Sequence, residues 1–380
     1  MMSKIKVMTV FGTRPEAIKM APLVLALKQR SSEFDAITVV TAQHRQMLDQ
    51  VLEIFKIKPD YDLDVMKQRQ TLSEITSNVL MNLDQIIMKE KPDIILVHGD
   101  TTTTFAASIS AFYNQTAIGH VEAGLRTWDK YSPFPEEMNR QLTDVLSDLY
   151  FAPTSQSKVN LLQENHPEKA IFITGNTAID ALKQTVQSDY NHEILDVVDT
   201  DKRMILVTMH RRENQGAPMK RVFKVIRKVV ENYDDVEIVY PVHLNPVVQE
   251  AAQNILGNHP RIHLIAPLGV VDFHNLAARS YFIMSDSGGV QEEAPSLGKP
   301  VLVLRDTTER PEGVNAGTLR LVGTQPEVVH DIMVELLDNQ ASYEAMAQAK
   351  NPYGDGLAAK RILDAIAYHF GQTTLKPEEF

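Results

Sequence analysis

Two adjacent glycines in the second half of the chain are the first residues whose type and position indicate chemistry. Gly288 and Gly289 follow Ser287 and an apolar run, residues 281–284, that is typical of a buried parallel strand, and they open a helix-like segment at 290–297. Glycines at such a turn let backbone N–H groups approach a ligand, and a helix N-terminus carries about half a positive charge. The pattern suits a phosphate or diphosphate, although a glycine pair can also form a simple tight turn.

Other polar residues in this half fit a nucleotide ligand. Glu293 lies one helical turn beyond the glycines, where its carboxylate could accept hydrogen bonds from a ribose diol. His210, followed by two arginines, comes after the apolar run 205–207, which suits phosphate binding or protonation of a leaving group. A loop histidine on a basic surface is the alternative. Arg310 follows the strand-like run 301–304 and adds a cation near the glycine turn.

The first half carries acids and bases at comparable positions. Arg14 and Lys19 begin the first helix and could project toward a diphosphate or form a solvated basic pair. Asp100 and Glu122 each follow an apolar strand, and Glu136 begins a helix. A helix N-cap is the common role of an aspartate, and the helix dipole alone favours an acid such as Glu136. Three carboxylates converging on one edge nevertheless indicate proton transfer.

Alternating strand-like and helical segments must position these residues. Short apolar runs separated by helical periods predict βαβ units and parallel sheets covered on both faces. The alternation restarts after the polar, acid-rich stretch 184–201, so we predict an α/β fold of two doubly wound Rossmann-like domains with an interdomain cleft. The first spans residues 1–175 and the second residues 176–355, and a helix within 356–380 packs back on the first. The predicted strands are 5–10, 37–40, 94–97, 117–121, 149–151, 171–174, 204–207, 237–240, 262–265, 282–284 and 301–304, and 72–90 is the longest predicted helix.

Composition narrows the class of protein. The chain has 380 residues, 43% of them hydrophobic, which suits two globular domains. It contains no cysteine, which excludes disulfides and thiolate catalysis. A net charge of −11 disfavours nucleic acid and anionic membranes as partners. No apolar run approaches the roughly 20 residues that span a bilayer, and no secretory signal precedes the first strand, so we expect a cytoplasmic protein.

Several signatures are missing from the sequence. No phosphate-binding P-loop motif and no G-x-G-x-x-G fingerprint is present, so neither a P-loop NTPase nor a nicotinamide or flavin site is supported. The histidines at 44, 98, 120 and 210 lack metal-ligand spacing. We therefore expect no cofactor and no metal.

The motifs together resemble the bacterial non-hydrolysing UDP-N-acetylglucosamine 2-epimerases. The resemblance spans almost the whole chain in order. It rests on Gly12-Thr13-Arg14-Pro15-Glu16-Ala17, Gln43-His44, Gly99-Asp100-Thr101, His120-Val121-Glu122-Ala123-Gly124-Leu125-Arg126-Thr127, Pro135-Glu136-Glu137-Met138-Asn139-Arg140, His210-Arg211-Arg212-Glu213-Asn214, Asp286-Ser287-Gly288-Gly289-Val290-Gln291-Glu292-Glu293, Thr308-Glu309-Arg310-Pro311-Glu312 and Asn351-Pro352-Tyr353-Gly354-Asp355-Gly356. Ala42 and Leu268 depart slightly from the pattern of many relatives, the latter near the expected uracil.

The resemblance implies a fold like that of the GT-B glycosyltransferases, a homodimer, and the site residues that follow. The UDP site would comprise Arg14, Lys19, His210, Leu268, Phe273, Ser287, Gly288, Gly289, Glu293 and Arg310. The catalytic group would comprise Lys19, Asp100, Glu122, Glu136 and His210. A second UDP-N-acetylglucosamine would act as an activator at Gln43, His44, Gln46 and Arg69.

The implied reaction interconverts UDP-N-acetylglucosamine and UDP-N-acetylmannosamine through elimination of UDP to 2-acetamidoglucal, in the supply of cell-surface polysaccharide. Three alternatives remain at this point. A hydrolysing epimerase would release UDP and free N-acetylmannosamine, and a GT-B glycosyltransferase would share the nucleotide site but need an acceptor pocket. A non-catalytic nucleotide-sugar sensor would not need the acids.

Overall fold

The computed structural model describes residues 3–42, 45–67 and 70–380, and its chain divides into two compact units. The first unit extends to Ala181 and resumes at Tyr353, and the second covers residues Leu182–Pro352. The chain thus leaves the first unit inside a helix rather than at the predicted boundary between residues 175 and 176 or in the polar stretch 184–201. That helix begins only at Thr177, so its first turns remain with the first unit.

The first unit is built on a parallel sheet with the order β3-β2-β1-β4-β5-β6-β7. Its strands are β1 (Ile5–Phe11), β2 (Phe34–Val40), β3 (Tyr61–Asp62), β4 (Ile94–His98), β5 (Ala117–Val121), β6 (Leu149–Ala152) and β7 (Ile171–Ile173). The helices in this part of the chain are α1 (Arg14–Gln29), α2 (Arg45–Ile54), α3 (Leu72–Glu90), α4 (Thr102–Tyr113), α5 (Glu136–Leu146), α6 (Ser155–Gln163) and α7 (Thr177–Thr185).

The second unit repeats the design, with the strand order β10-β9-β8-β11-β12-β13. Its strands are β8 (Arg203–Thr208), β9 (Val236–Pro241), β10 (Ile262–Ile265), β11 (Phe282–Ser285), β12 (Val301–Val303) and β13 (Leu319–Leu321). Its helices are α8 (Ala217–Asn232), α9 (Pro246–Leu256), α10 (Val270–Arg279), α11 (Gly288–Glu293), α12 (Pro311–Asn315), α13 (Pro326–Asp338) and α14 (Gln340–Ala347). Short 3₁₀ turns lie at Glu168–Ala170, Glu193–Asp196, Arg212–Asn214 and Ala294–Leu297.

Both sheets are covered on both faces, which explains the continuous apolar runs in their central strands. In β4, Ile94 and Leu96 join one apolar cluster whereas Ile95 and Val97 join another, and all four are fully buried. A strand with helices on both sides needs apolar residues at every position rather than at alternate ones. The predicted pair of doubly wound α/β domains is therefore confirmed.

The order of the strands determines where the predicted site residues lie in each sheet. In the first sheet the order reverses between β1 and β4, and in the second between β8 and β11. Ligands of open parallel sheets bind outside the carboxyl ends of the strands at such a switch point. Arg14 and Asp100 follow β1 and β4, and His210 and Ser287 follow β8 and β11.

The last helix, α15 (Ala358–His369), belongs to the first unit. Arg30, the residue that follows α1, donates to Asp364 on α15 at 2.6 Å, and Asp180 of α7 accepts the backbone N–H groups of Ala358 and Ala359. Beyond α15, the N–H of Phe380 donates to the carbonyl of Ile173 on β7. The first unit is thus assembled from two distant parts of the chain.

Candidate active site

The loop after β1 is fixed by a buried glutamate. Glu16 is 2% exposed, and its carboxylate accepts the N–H groups of Gly12 and Thr13 at 3.1 and 2.7 Å. It also accepts the hydroxyl groups of Thr101 and Thr104 at 2.7 and 3.1 Å. Burial raises the pKa of Glu16, while these hydrogen bonds lower it. The carboxylate therefore ties the β1–α1 loop to the β4–α4 loop and sets the positions of both.

Glu122 accepts hydrogen bonds from two side chains that lie far from it in the sequence. Its Oε1 atom accepts a short hydrogen bond from Nζ of Lys19 and a second from Nδ2 of Asn176 at 3.0 Å. Its backbone has φ of 68°, in the left-handed region that glutamate rarely occupies. Backbone strain of this kind persists only where the surrounding structure holds it, and it is concentrated at functional sites.

His98 is buried beside Glu122. Its Nε2 atom lies 3.5 Å from Oε2 of Glu122, without the geometry of a hydrogen bond to any described residue. Burial, together with the nearby Lys19 and His120, lowers the pKa of His98 to about 3, although Glu122 and a backbone hydrogen bond act in the opposite direction. The ring is therefore neutral near pH 7.

Asp100 lies between charges of both signs. Nη2 of Arg140 lies 2.7 Å from Oδ2 of Asp100, and Nδ2 of Asn139 donates to the Asp100 carbonyl at 2.9 Å. Burial raises the pKa of Asp100 from its ordinary 3.8 to about 6, and the negative charges of Glu122 and Glu136 act in the same direction. Arg140 and Lys19 oppose that rise. A carboxyl with this pKa exchanges a proton readily near neutral pH.

The two glutamates at the start of α5 have different roles. Glu136 is half-buried and lies close enough to Asp100 to raise the pKa of that carboxyl. Glu137 is fully buried and accepts the backbone N–H groups of Thr127 and Trp128 at 3.1 and 3.0 Å. Burial raises the pKa of Glu137, but these hydrogen bonds bring it below its ordinary value. Glu137 therefore holds the backbone at Thr127 and Trp128 and lies 3.4 Å from Arg140, whereas Glu136 is the glutamate of the pair whose charge raises the pKa of Asp100.

A buried histidine, His120, contacts the loop that carries Asp100. Nε2 of His120 lies 2.7 Å from the carbonyl of Gly99, and Nδ1 lies 2.6 Å from Asp144. Burial alone would raise the pKa of Asp144, but His120 and Arg126 bring it below its ordinary value. Because a carbonyl and an ionised carboxylate can only accept, the His120 ring donates from both nitrogens. These hydrogen bonds fix the position of Gly99, the residue before Asp100, whose φ of 65° lies in the left-handed region.

In the second unit, Asp286 organises the loops after β8 and β11. It is fully buried and accepts the N–H groups of His210 and Arg211 and the side-chain amide of Asn214 at 2.8–3.1 Å. Nδ1 of His210 lies 3.2 Å from the same carboxylate. Burial lowers the pKa of His210, Asp286 raises it, and His243 and Arg211 lower it. The net direction is downward, which favours the neutral imidazole.

The glycine turn packs directly against Arg310. A Cβ atom added at Gly288 would lie 2.5 Å from Nη1 of Arg310, so a side chain and the guanidinium cannot share that space. Nε of Arg310 donates to the buried carboxylate of Glu292 at 2.7 Å, which fixes the guanidinium. Ser287 is the N-cap residue of α11. The turn therefore presents a guanidinium and helix N–H groups together, as a diphosphate requires.

The remaining residues expected at the nucleotide lie on α10, on the loop before it and on α11. Oε2 of Glu293 lies 3.3 Å from Nε2 of His274, whose Nδ1 lies 2.6 Å from the hydroxyl of Thr185. Leu268 and Phe273 are half-buried against the apolar cluster on one face of the second sheet. Phe273 directly precedes His274, the residue bonded to Glu293.

Not every predicted site residue is part of such a network. Arg14 is half-buried at the start of α1, and no hydrogen bond or ion pair joins its side chain to the described residues. Gln46 is exposed on α2. The other three residues of the expected activator site, Gln43, His44 and Arg69, lie outside the described residues.

Sequence reasoning missed the residues that hold the site residues in place. Asn176 follows β7, the last strand of the first unit, just as Asp100 follows β4. Its position after a strand could therefore have indicated a site residue. Arg140 and Asp144 lie inside α5, and Asp286 directly precedes the glycine turn. Nothing in their spacing distinguishes them from ordinary charged residues. Within 3–42, 45–67 and 70–380, no cluster of three potential metal-ligating side chains occurs, and no helix there has the length and apolar character needed to cross a bilayer.

Comparison with known proteins identifies the family. The sequence profile described as UDP-N-acetylglucosamine 2-epimerase matches residues 26–367. The UDP-N-acetylglucosamine 2-epimerase of Bacillus subtilis strain 168 is 63% identical over 379 residues, which cover 100% of this chain and 99% of the relative. A Listeria monocytogenes crystal structure is 61% identical, with a TM-score of 0.96 and full coverage of both chains.

A fourth comparison includes a ligand. The UDP-GlcNAc 2-epimerase of Neisseria meningitidis, solved bound to UDP-GlcNAc, is 49% identical with a TM-score of 0.84 and covers 95% of this chain and 99% of its own. The profile, the relatives and the fold agree over almost the full length. The chain therefore belongs to the UDP-N-acetylglucosamine 2-epimerase family.

Proposed function

We propose that this protein interconverts UDP-N-acetylglucosamine and UDP-N-acetylmannosamine by reversible, non-hydrolysing epimerisation at C2 of the sugar. The observation that carries the proposal is the charged group of the first unit, in which Asp100, with its pKa near 6, lies near Glu122, Glu136 and Lys19. The Neisseria meningitidis relative bound to UDP-GlcNAc supports the substrate class. As an isomerase of this kind, the protein needs no cofactor.

The chemistry explains why such a group is needed. C2 of the sugar has no neighbouring carbonyl, so its proton cannot be removed by simple enolisation. Breaking the C1–O bond to UDP builds positive charge at C1 and makes the C2 proton removable. A base takes that proton, the C1–C2 double bond forms, and UDP leaves with the electron pair, which yields 2-acetamidoglucal. Delivery of a proton to the other face of C2 and re-addition of UDP at C1 complete the epimerisation.

Two carboxyls with different environments suit the two proton transfers. We assign proton transfer at C2 to Asp100 and Glu122, and stabilisation of positive charge at C1 to Glu136. Lys19 is bonded to Glu122 and orients that carboxylate. Because the same enzyme must work in both directions, a carboxyl with a pKa near 6 can serve as acid in one direction and as base in the other.

UDP must be held while it is detached from the sugar. We assign the diphosphate to Arg310, to the N–H groups of the turn at Ser287, Gly288 and Gly289, and to Arg14. His210 is assigned to the departing phosphate oxygen. Glu293 would accept the ribose hydroxyls, and Phe273 and Leu268 would pack against the uracil.

Four further properties belong to the proposal. The protein acts as a homodimer in the cytoplasm and supplies precursors of cell-surface polysaccharide. A second UDP-N-acetylglucosamine binds at Gln43, His44, Gln46 and Arg69 and activates the enzyme. A hyperbolic substrate curve that the Gln43→Ala variant leaves unchanged would count against this activator.

The deciding experiment is proton NMR of the protein with UDP-N-acetylglucosamine in D₂O without added cofactor. We expect UDP-N-acetylmannosamine with deuterium at C2, because the proton removed from C2 is replaced from solvent. UDP with free N-acetylmannosamine would instead identify a hydrolysing epimerase. Unchanged substrate, with transfer seen only after an acceptor sugar is added, would identify a glycosyltransferase. Binding of the nucleotide-sugar without turnover under any of these conditions would identify a sensor.

A further inference from the structure

The environment of Glu122 includes an amide that the reaction described above does not use. Nδ2 of Asn176 donates to Oε1 of Glu122 at 3.0 Å, and Lys19 donates to the same oxygen. Asn176 is 4% exposed and follows β7, more than fifty positions along the chain from Glu122. A neutral donor inside a charged group stabilises the ionised form of the carboxylate without adding net charge.

The orientation of the Asn176 amide is fixed by its other bonds. Its Oδ1 atom accepts the N–H of Ala178 at 2.9 Å, so the NH₂ end must point to Glu122. Its backbone N–H donates to the carbonyl of Tyr353 at 2.7 Å. A Cβ atom at Gly354 would lie only 3.4 Å from that same nitrogen, so the returning chain packs tightly against this residue.

We propose that Asn176 is a positioning residue for Glu122, held in place by the returning segment at Tyr353 and Gly354. It fixes the rotamer of the Glu122 side chain and favours its ionised form, so that the carboxylate reaches C2 in a defined direction. The kinetic part of this inference rests on the proposed epimerisation. The electrostatic part does not, because it concerns the titration of Glu122 in the protein without substrate.

Two substitutions separate the donor from the structural role of Asn176. In Asn176→Asp the oxygen that caps α7 is retained, but an anion replaces the donor that faces Glu122. In Asn176→Ser a good helix cap is retained, but the side chain is too short to reach Glu122. Asn254→Asp is the matched control, since Asn254 is exposed on α9 and the charge change is the same.

The first measurement is the pH titration of the Glu122 carboxyl carbon by ¹³C NMR in protein labelled at glutamate, assigned with Glu122→Gln. We expect the midpoint to rise by about one pH unit or more in Asn176→Asp, through like-charge repulsion, and less in Asn176→Ser. Asn254→Asp should leave it unchanged. A midpoint that is the same in all four proteins would overturn the proposal, whatever reaction the enzyme catalyses.

The second measurement is C2 deuterium incorporation from UDP-N-acetylglucosamine. We expect kcat to fall about 10²-fold in Asn176→Asp and about tenfold in Asn176→Ser, with KM nearly unchanged, because the altered group acts on proton transfer. Equal kcat in the wild type and both variants would overturn the positioning role. Absence of exchange in the wild type would refute the proposed function instead, and the titration would still decide the electrostatic part.

Discussion

Asp100 and Glu122 are carboxylates of similar chemistry placed in different surroundings. Asp100 is paired with Arg140 across 2.7 Å, yet burial and two neighbouring acids keep its pKa near 6. Glu122 is bonded to Lys19 and to an amide. Pairs of acids whose surroundings differ in this way are typical of sites that need one acid and one base.

Removing either carboxylate should slow turnover strongly and spare nucleotide binding. We expect Asp100→Asn and Glu122→Gln to lower the epimerisation rate by about 10²–10⁴-fold, as loss of a general acid or base does. The affinity for UDP, measured by calorimetry, should stay close to that of the wild type. Asp234→Asn is the matched control because its side chain is fully exposed in the second unit. A near-normal rate in either variant would remove that residue from the mechanism.

The raised pKa of Asp100 also makes a prediction about stability. A carboxyl that binds its proton more tightly in the folded protein contributes stability that is complete below pH 3.8, its ordinary pKa, and is lost as the pH rises through about 6. The Asp100→Asn variant has no carboxyl at this position, so it does not lose this stability as the pH rises. The difference in Tm, variant minus wild type, should therefore increase between pH 4 and pH 7 and level off above that. A difference that is constant with pH, measured by scanning calorimetry, would contradict the assignment.

Among the elements, the glycine turn before α11 has the most direct test. In Gly288→Ala the new methyl group would occupy the space of the Arg310 guanidinium, 2.5 Å away. Because that group ends a flexible side chain, we expect the protein to fold and Arg310 to move. UDP affinity should fall about tenfold or more, as loss of a charge-assisted contact implies.

Gly289→Ala provides the comparison for this turn. A Cβ atom there meets only Oε1 of Glu293, at 4.0 Å, so Arg310 stays in place. We expect a smaller loss of UDP affinity, measured by the same titration. Equal losses in the two variants would mean that the methyl groups block the ligand itself and that Arg310 contributes little.

The sequence predicted most helices and strands but few of the side-chain contacts between them. Helix α3 was predicted with its observed bounds, residues 72–90, because its amphipathic period is long. Strands β3 and β13 were missed because two or three residues show no alternation. Asp100 and Glu122 were predicted as site residues because they follow apolar strands, whereas Arg140 and Asn176 contact them only through the tertiary fold. Spacing along the chain carries no information about such contacts.

For the molecule as a whole, the discontinuous first unit depends on contacts between α7 and α15. Asp180 lies at their junction, is 6% exposed, and accepts two N–H groups at the start of α15. We expect Asp180→Ala to lower the free energy of unfolding by about 1–2 kcal/mol, the usual cost of losing an N-cap. Asp180→Asn keeps one acceptor and should cost less. Chemical denaturation measures both, and equal stability of Asp180→Ala and the wild type would show that the junction does not depend on this carboxylate.

The division of the first unit between residues up to Ala181 and residues from Tyr353 onward also sets an order of events during synthesis. Domains fold as they emerge from the ribosome, and the second unit is continuous in sequence, so it can fold while translation is still under way. The first unit, although translated first, lacks α15 and the carbonyl that holds Asn176 until the last part of the message is read. A nascent chain arrested before codon 353 would therefore carry a folded second unit and a first unit without the contact that holds Asn176 beside Glu122.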